Sequence, residues 1–364
     1  MSYVSRGKEE DEVPPPQRPP SPPPHTTFAA RGIHPPNFSA FKPRDYKTPC
    51  YQGITHVAWN CDGKRLAGVG MDKQVRIWYP EQSPIDLRSC QMFQGGHTDD
   101  IDHMSWNPIH PDLFVTSSQK DKKLVFWDTR QKTYIQTLQF SKILPVSTTW
   151  SPDGRTVLWT SAGRQTYVLG LGQREGETRE SWSTQTQPHM IHATQATFSN
   201  AGDLIVTNNA MDHTIKVMEF PSLKPVHTSA AHVAGCTAVA LDPRGRYLAS
   251  GGNDSIINMF DLEEWICART ITTCDHAITG LSFSYDGEYL AISNAGNYID
   301  IVAAETAMPI HRISTLGSSP TVQWHPSKYV FAYCGHHKPK QREGGPPGGP
   351  PQAFVSLFGP GMSI

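Results

Sequence analysis

The chain has 364 residues, 37% of them hydrophobic and 18% charged, with a formal net charge of −1 at pH 7. That length fits one large β domain or two ordinary ones, and 32 Lys and Arg against 33 Asp and Glu leave no global field to recruit nucleic acid or an anionic membrane. Seven cysteines, odd in number and without CxxC spacing, suit buried thiols in a reducing compartment rather than a disulfide framework or a zinc site. No apolar run approaches the roughly 18 residues needed to cross a bilayer, and the N-terminus lacks the basic-then-apolar order of a signal peptide, so the sequence reads as soluble and intracellular.

Residues 1–36 differ in kind from the rest of the chain. Eight of the eleven residues from Pro14 to Pro24 are proline, which favours polyproline II and leaves no apolar periodicity to bury. The expectation is a disordered tail. Its PxxP spacing at Pro16 to Pro19, with Arg18, would make it a docking strip for an aromatic-lined groove; the alternative is a solvated tail.

From residue 37 to 361 the chain repeats one unit, most completely at Gly96 to Arg130. A Gly-His pair opens it, an apolar run ends at Trp106, a proline-rich turn comes next, and two further runs (LFVTSS, KLVFWD) close it on Trp-Asp. Three short strands framed by Gly-His and Trp-Asp resemble a WD40 repeat, one blade of a β-propeller. His97, Ser118, Asp121 and Trp127 are the candidates for its buried hydrogen-bond relay. Such a relay offsets its own desolvation only when every member is satisfied.

The first strands of successive units end at Trp59, Trp106, Trp150, Phe198, Leu241, Phe283 and Trp324, separated by 47, 44, 48, 43, 42 and 41 residues. That is close to the period of about 40 to 45 for a four-stranded blade. Turn formers come after most anchors, as in Asp153-Gly154 and Asp286-Gly287, because a tight hairpin demands a positive φ. An Asp six residues before the end of strand three marks four units: Asp72 before Trp78, Asp121 before Trp127, Asp212 before Met218 and Asp254 before Phe260. A His nine residues before the anchor occurs at His97 and His232. Gly163 and Gly296 replace the Asp in units three and six, which must rely on packing. The expected fold is all-β, a seven-bladed WD40 propeller. Its last unit has three strands, so Phe38 to Thr48 is expected to supply the fourth and spare the ring an open edge.

No phosphate loop, HExxH or GxSxG is present, and His192, His213, His311 and His325 are scattered without a nucleophile. No catalytic site, cofactor, metal or small-molecule substrate is expected. Two contact candidates remain. The 335–352 loop carries His336, His337, Lys338, Lys340 and Arg342, a small basic contact for RNA or an acidic partner, or else a solvated insertion. Trp127-Asp128-Thr129-Arg130 has the WDxR pattern by which some propellers engage a ubiquitin-ligase adaptor; the plainer reading is that Asp128 caps a turn and Arg130 is solvated.

Segments outside the general WD40 pattern, FPSLKPV and YIDIVAAET, together with THVAWNCDGKRLAGVGMDK, WNPIHPDLFVTSS and VQWHPSKYVFAYC, make the sequence similar to the THO complex subunit 3 family, in a fungal version. The resemblance spans residues 54–358. It implies a non-catalytic subunit of a nuclear complex that couples transcription to packaging and export of messenger RNA. Its partners would be the other THO subunits, chiefly the large scaffold subunits, with RNA met indirectly and no membrane contact. The alternatives are a substrate receptor of a cullin-type ubiquitin ligase, through Asp128 and Arg130, or another WD40 platform in mRNA export or chromatin.

Overall fold

The computed structural model describes residues 36–47, 53–82, 90–173, 180–185, 191–337 and 352–360. These build an all-β ring of seven antiparallel sheets, a seven-bladed propeller. Among them no α-helix occurs; the one helical turn is the 3-10 segment Phe38–Ala40. The Pro14 to Pro24 strip and the cations Lys338, Lys340 and Arg342 lie outside the described residues.

Blade two shows the plan: strands His103–Trp106, Leu113–Ser118, Lys123–Asp128 and Tyr134–Gln139, ordered from the central channel outward. Each of the seven anchors is the last residue of its blade's innermost strand. Second strands such as Leu66–Gly70 and Tyr247–Gly252 are buried at every position, because each blade packs against neighbours on both faces. A strand covered on both faces reads as an unbroken apolar run. Outermost strands such as Tyr134–Gln139 and Pro225–Ala230 contain no buried residue. Blade three adds a two-residue strand, Ile191–His192, paired with its third strand.

Blade seven is assembled from both ends of the chain. Thr321–Trp324, Phe331–His337 and Gln352–Gly359 are its inner strands, and Lys42–Lys47 runs antiparallel along the last of them, from Lys42 opposite Gly359 to Lys47 opposite Phe354. Hydroxyls of Tyr333 and Ser356 donate to the Asp45 carboxylate across this seam. Just upstream, Phe38 is 3% exposed and stands edge-on to Tyr289, ring centroids 5.0 Å apart, and to Trp324 at 6.3 Å. The seam with blade one is tied as well: the Trp59 N–H donates to Gln323 Oε1 at 2.6 Å.

The hairpins between first and second strands carry their glycines at positive φ, +66° at Gly154 and +69° at Gly287. At Gly287 a Cβ would also run into the Asp242 carboxylate of the preceding blade. Conformation and space both demand glycine there.

Candidate functional site

In blade two the relay forms, with one member changed. His97 Nδ1 lies 2.9 Å from Asp121 Oδ2, and His97 Nε2 lies 2.7 Å from Thr116 Oγ1, to which the Trp127 indole donates at 2.9 Å. The hydroxyl is that of Thr116, not Ser118. Both side chains share one face of the strand, but Ser118 pairs with Lys123 at the hairpin end, whereas Thr116 sits opposite Val125, within reach of the indole. Ser118 instead accepts the Asp121 N–H at 3.3 Å. With Asp121 accepting from Nδ1–H, the neutral imidazole presents Nε2 as acceptor to the Thr116 hydroxyl.

Blade five repeats the arrangement without a tryptophan: His232 Nδ1 is 3.1 Å from Asp254 Oδ1, and His232 Nε2 is 2.8 Å from Ser250 Oγ, which also meets Cys236 Sγ at 3.0 Å. The other two Asp positions do not join a His relay. Cys50 stands nine residues before Trp59, and the Asp72 carboxylate holds the buried guanidinium of Arg76; Trp78 is buried against Gly68. Asp212 is half-exposed and takes Asn209 Nδ2 at 2.9 Å and Lys216 Nζ at 3.2 Å. An Asp at the right spacing is thus a turn residue first. It enters a relay only where a histidine is delivered to it.

The central channel has a volume of about 800 Å³ and is lined by the first strands of the blades. His56 and His103 lie together in its wall, ring centroids 4.1 Å apart and planes tilted by 48°. Burial, and for His56 also the neighbouring His103, depresses both: His56 lies well below 6.5, and His103 falls to about 4. His103 Nδ1 accepts the Thr148 N–H at 3.3 Å, a bond only the neutral ring makes. A histidine with a depressed folded value contributes stability that is present above the unfolded value and lost as pH falls toward the folded one, here between 6.5 and about 4. His103→Gln is therefore expected to melt with a shallower pH dependence across that window. Equal slopes for the two proteins would show that the ring protonates freely. No group of three or more His, Cys, Asp or Glu among the described residues could hold a metal.

Comparison with known proteins agrees with this geometry. The WD domain, G-beta repeat family matches residues 45–79 and 223–261. THO complex subunit 3 of Arabidopsis thaliana is 29% identical over 313 residues, covering 86% of this chain and 93% of that protein. WD repeat-containing protein AAC3 of Dictyostelium discoideum is 28% identical over 77% of this chain and 61% of its own length. Among solved structures, the β-propeller domain of Cps50 (Swd1) from Myceliophteria thermophila superposes with a TM-score of 0.69 at 16% identity, covering 87% of this chain and 99% of that one. The chain is a WD40 propeller, and it resembles THO complex subunit 3.

In this WD40 ring, ties between blades went unread in the sequence. Trp106 and Trp150 donate their indole N–H groups to Ala58 O and Ser105 O of the preceding blade at 3.1 and 3.0 Å. The residue after each anchor is polar throughout: Asn60, Asn107, Ser151, Ser199, Asp242, Ser284 and His325. Asn60 and Asn107 reach the next blade at Pro111 O and Gly154 O, and His325 Nε2 lies 2.9 Å from Gly63 O of blade one, whereas Ser284 folds back on its own turn at Asp286. That run of polar residues was the available signal.

The WDxR pair is internal. Asp128 is buried and accepts from Arg130 N–H at 2.9 Å, while the Arg130 guanidinium grips the same carboxylate with its side chain still 70% exposed. It borders a lateral groove of about 470 Å³ between blades two and three, with exposed Ile109 and Ile135 at its edge. Of the basic-loop candidates, His337 Nδ1 meets Leu316 O at 3.1 Å and the His336 ring lies against Gly53. Both residues end the second strand of blade seven and are partly buried.

Proposed function

We propose that the chain is a non-catalytic scaffold subunit of a THO-type complex in the nucleus, coupling transcription to mRNP packaging and mRNA export through protein contacts. The observation that carries this reading is the likeness to THO complex subunit 3 along 86% of this chain and 93% of that protein, far beyond the two repeat matches. Residues 37–361 act as one rigid platform and residues 1–36 as a tail. Affinity purification of the tagged chain followed by mass spectrometry tests it: large THO scaffold subunits are the expected prey. A cullin-ligase adaptor in their place, lost on Arg130→Ala, would favour the ligase reading, for which the exposed Arg130 at the groove speaks.

RNA is reached through the complex. A net charge of −1 supplies no dense basic face, and binding that neutralises many phosphates needs one. The isolated protein is expected to bind single-stranded RNA weakly with a shallow salt dependence, and the Lys338, Lys340 and Arg342 to Ala triple variant to assemble normally with the scaffold. Tight, steeply salt-dependent binding that the triple variant abolishes would make that loop an RNA site.

A further inference from the structure

We propose that the proline-rich segment Pro14 to Pro24 docks back onto its own propeller, across a ridge made by Tyr285 and Tyr329, with the Asp286 carboxylate as the seat for Arg18. This inference is independent of the THO reading. The described chain starts at Pro36, whose carbonyl accepts the Phe38 N–H at 2.9 Å. Phe38 touches Tyr289 at 5.0 Å, Tyr289 touches Tyr329 at 5.7 Å, and Tyr329 touches Tyr285 at 5.1 Å. An unbroken line of rings thus leads from the exit of the tail to the ridge.

Tyr285 is 39% exposed, so its ring is open to solvent. Between the two tyrosines, Asp286 accepts from Ser284 Oγ at 2.6 Å, Glu288 N–H at 3.2 Å and Tyr329 OH at 2.6 Å. All three donors are neutral, and no Lys or Arg among the described residues forms an ion pair with it. Paired aromatic rings beside an uncompensated carboxylate are what a polyproline II helix bearing one arginine recognises: the flat proline faces stack on the rings and the guanidinium meets the acid.

The tether permits it. Arg18 stands 18 positions before Pro36, a reach of ~55 Å when extended at ~3.1 Å per step. A tether of this kind gives an effective concentration on the order of millimolar, enough for a weak motif to be mostly bound.

The test uses the full-length protein with a benzoylphenylalanine photo-crosslinker in place of Gln17, its crosslinks mapped by mass spectrometry. Within one chain, crosslinks to the peptides containing Tyr285 or Tyr329 are expected, at a yield independent of protein concentration. Arg18→Glu should lower that yield about two- to five-fold, the range of a surface ion pair. Tyr285→Ser, first checked for an unchanged melting curve, should lower it further. Crosslinks scattered over the ring, or a ridge yield indifferent to both variants, would overturn the proposal. Crosslinks to the ridge that join two chains would hand the ridge to a second copy and overturn the intramolecular form.

Discussion

Deleting residues 1–50 is expected to cause misfolding or aggregation, whereas deleting residues 1–30 leaves the melting transition in place. The shorter truncation stops before Phe38 and before the outer strand of blade seven. The longer one removes six residues paired in register, Lys42 to Lys47, and leaves Gln352–Gly359 as an open edge. A long, flat, unpaired strand is a template for association between molecules. It also removes Phe38, whose ring fills a buried site among Tyr289, Trp324 and Phe41; emptying such a site costs about 3 to 5 kcal/mol. Against a typical total of about 5 to 15 kcal/mol, that loss with the missing strand is close to decisive. Thermal melts and size-exclusion profiles of the two truncations decide the matter. Equal behaviour would refute closure of the ring by the N-terminal strand.

The second large effect is expected at Asp121. Replacing it by Ala strands the His97 Nδ1–H and the Thr98 N–H, which donates at 3.0 Å, at a cost of roughly 1 to 3 kcal/mol. Asp212→Ala, the same motif position in blade four, should change stability by less than about 0.5 kcal/mol, because that carboxylate is half-exposed and its partners can turn to water. The pH dependence separates the two further. Burial alone would raise the Asp121 carboxyl, but the hydrogen bonds from His97 and Thr98 N–H hold it below the usual carboxylate range. A depressed carboxylate contributes stability above its unfolded value that is lost as pH falls through the folded one, so the gap between wild type and Asp121→Ala should close on the acid side, below about pH 4. Urea titrations at pH 7 and pH 3 read both quantities. Unaltered stability with lost partner binding would make Asp121 a contact residue instead.

What the amino-acid order determined alone is the placement of the inner strands. Each of the seven anchors ends a first strand, since an apolar run followed by a turn former is a signal complete within about ten residues. Outer strands were not legible: Tyr134–Gln139 and Pro225–Ala230 contain no fully buried residue, so no apolar run marks them. Partner choice was equally beyond local reading. Asp72, Asp121 and Asp212 share one motif position yet hold an arginine, a histidine and a lysine, according to which side chain the neighbouring loop and ladder bring near. Thr116 displaces Ser118 in the relay because the reach of an indole across a β ladder, not spacing along one strand, selects the hydroxyl. The line of rings from Phe38 through Tyr289 to Tyr329 joins residues more than 250 positions apart. Only closure of the ring, which lays the start of the chain against its last two blades, brings them into contact.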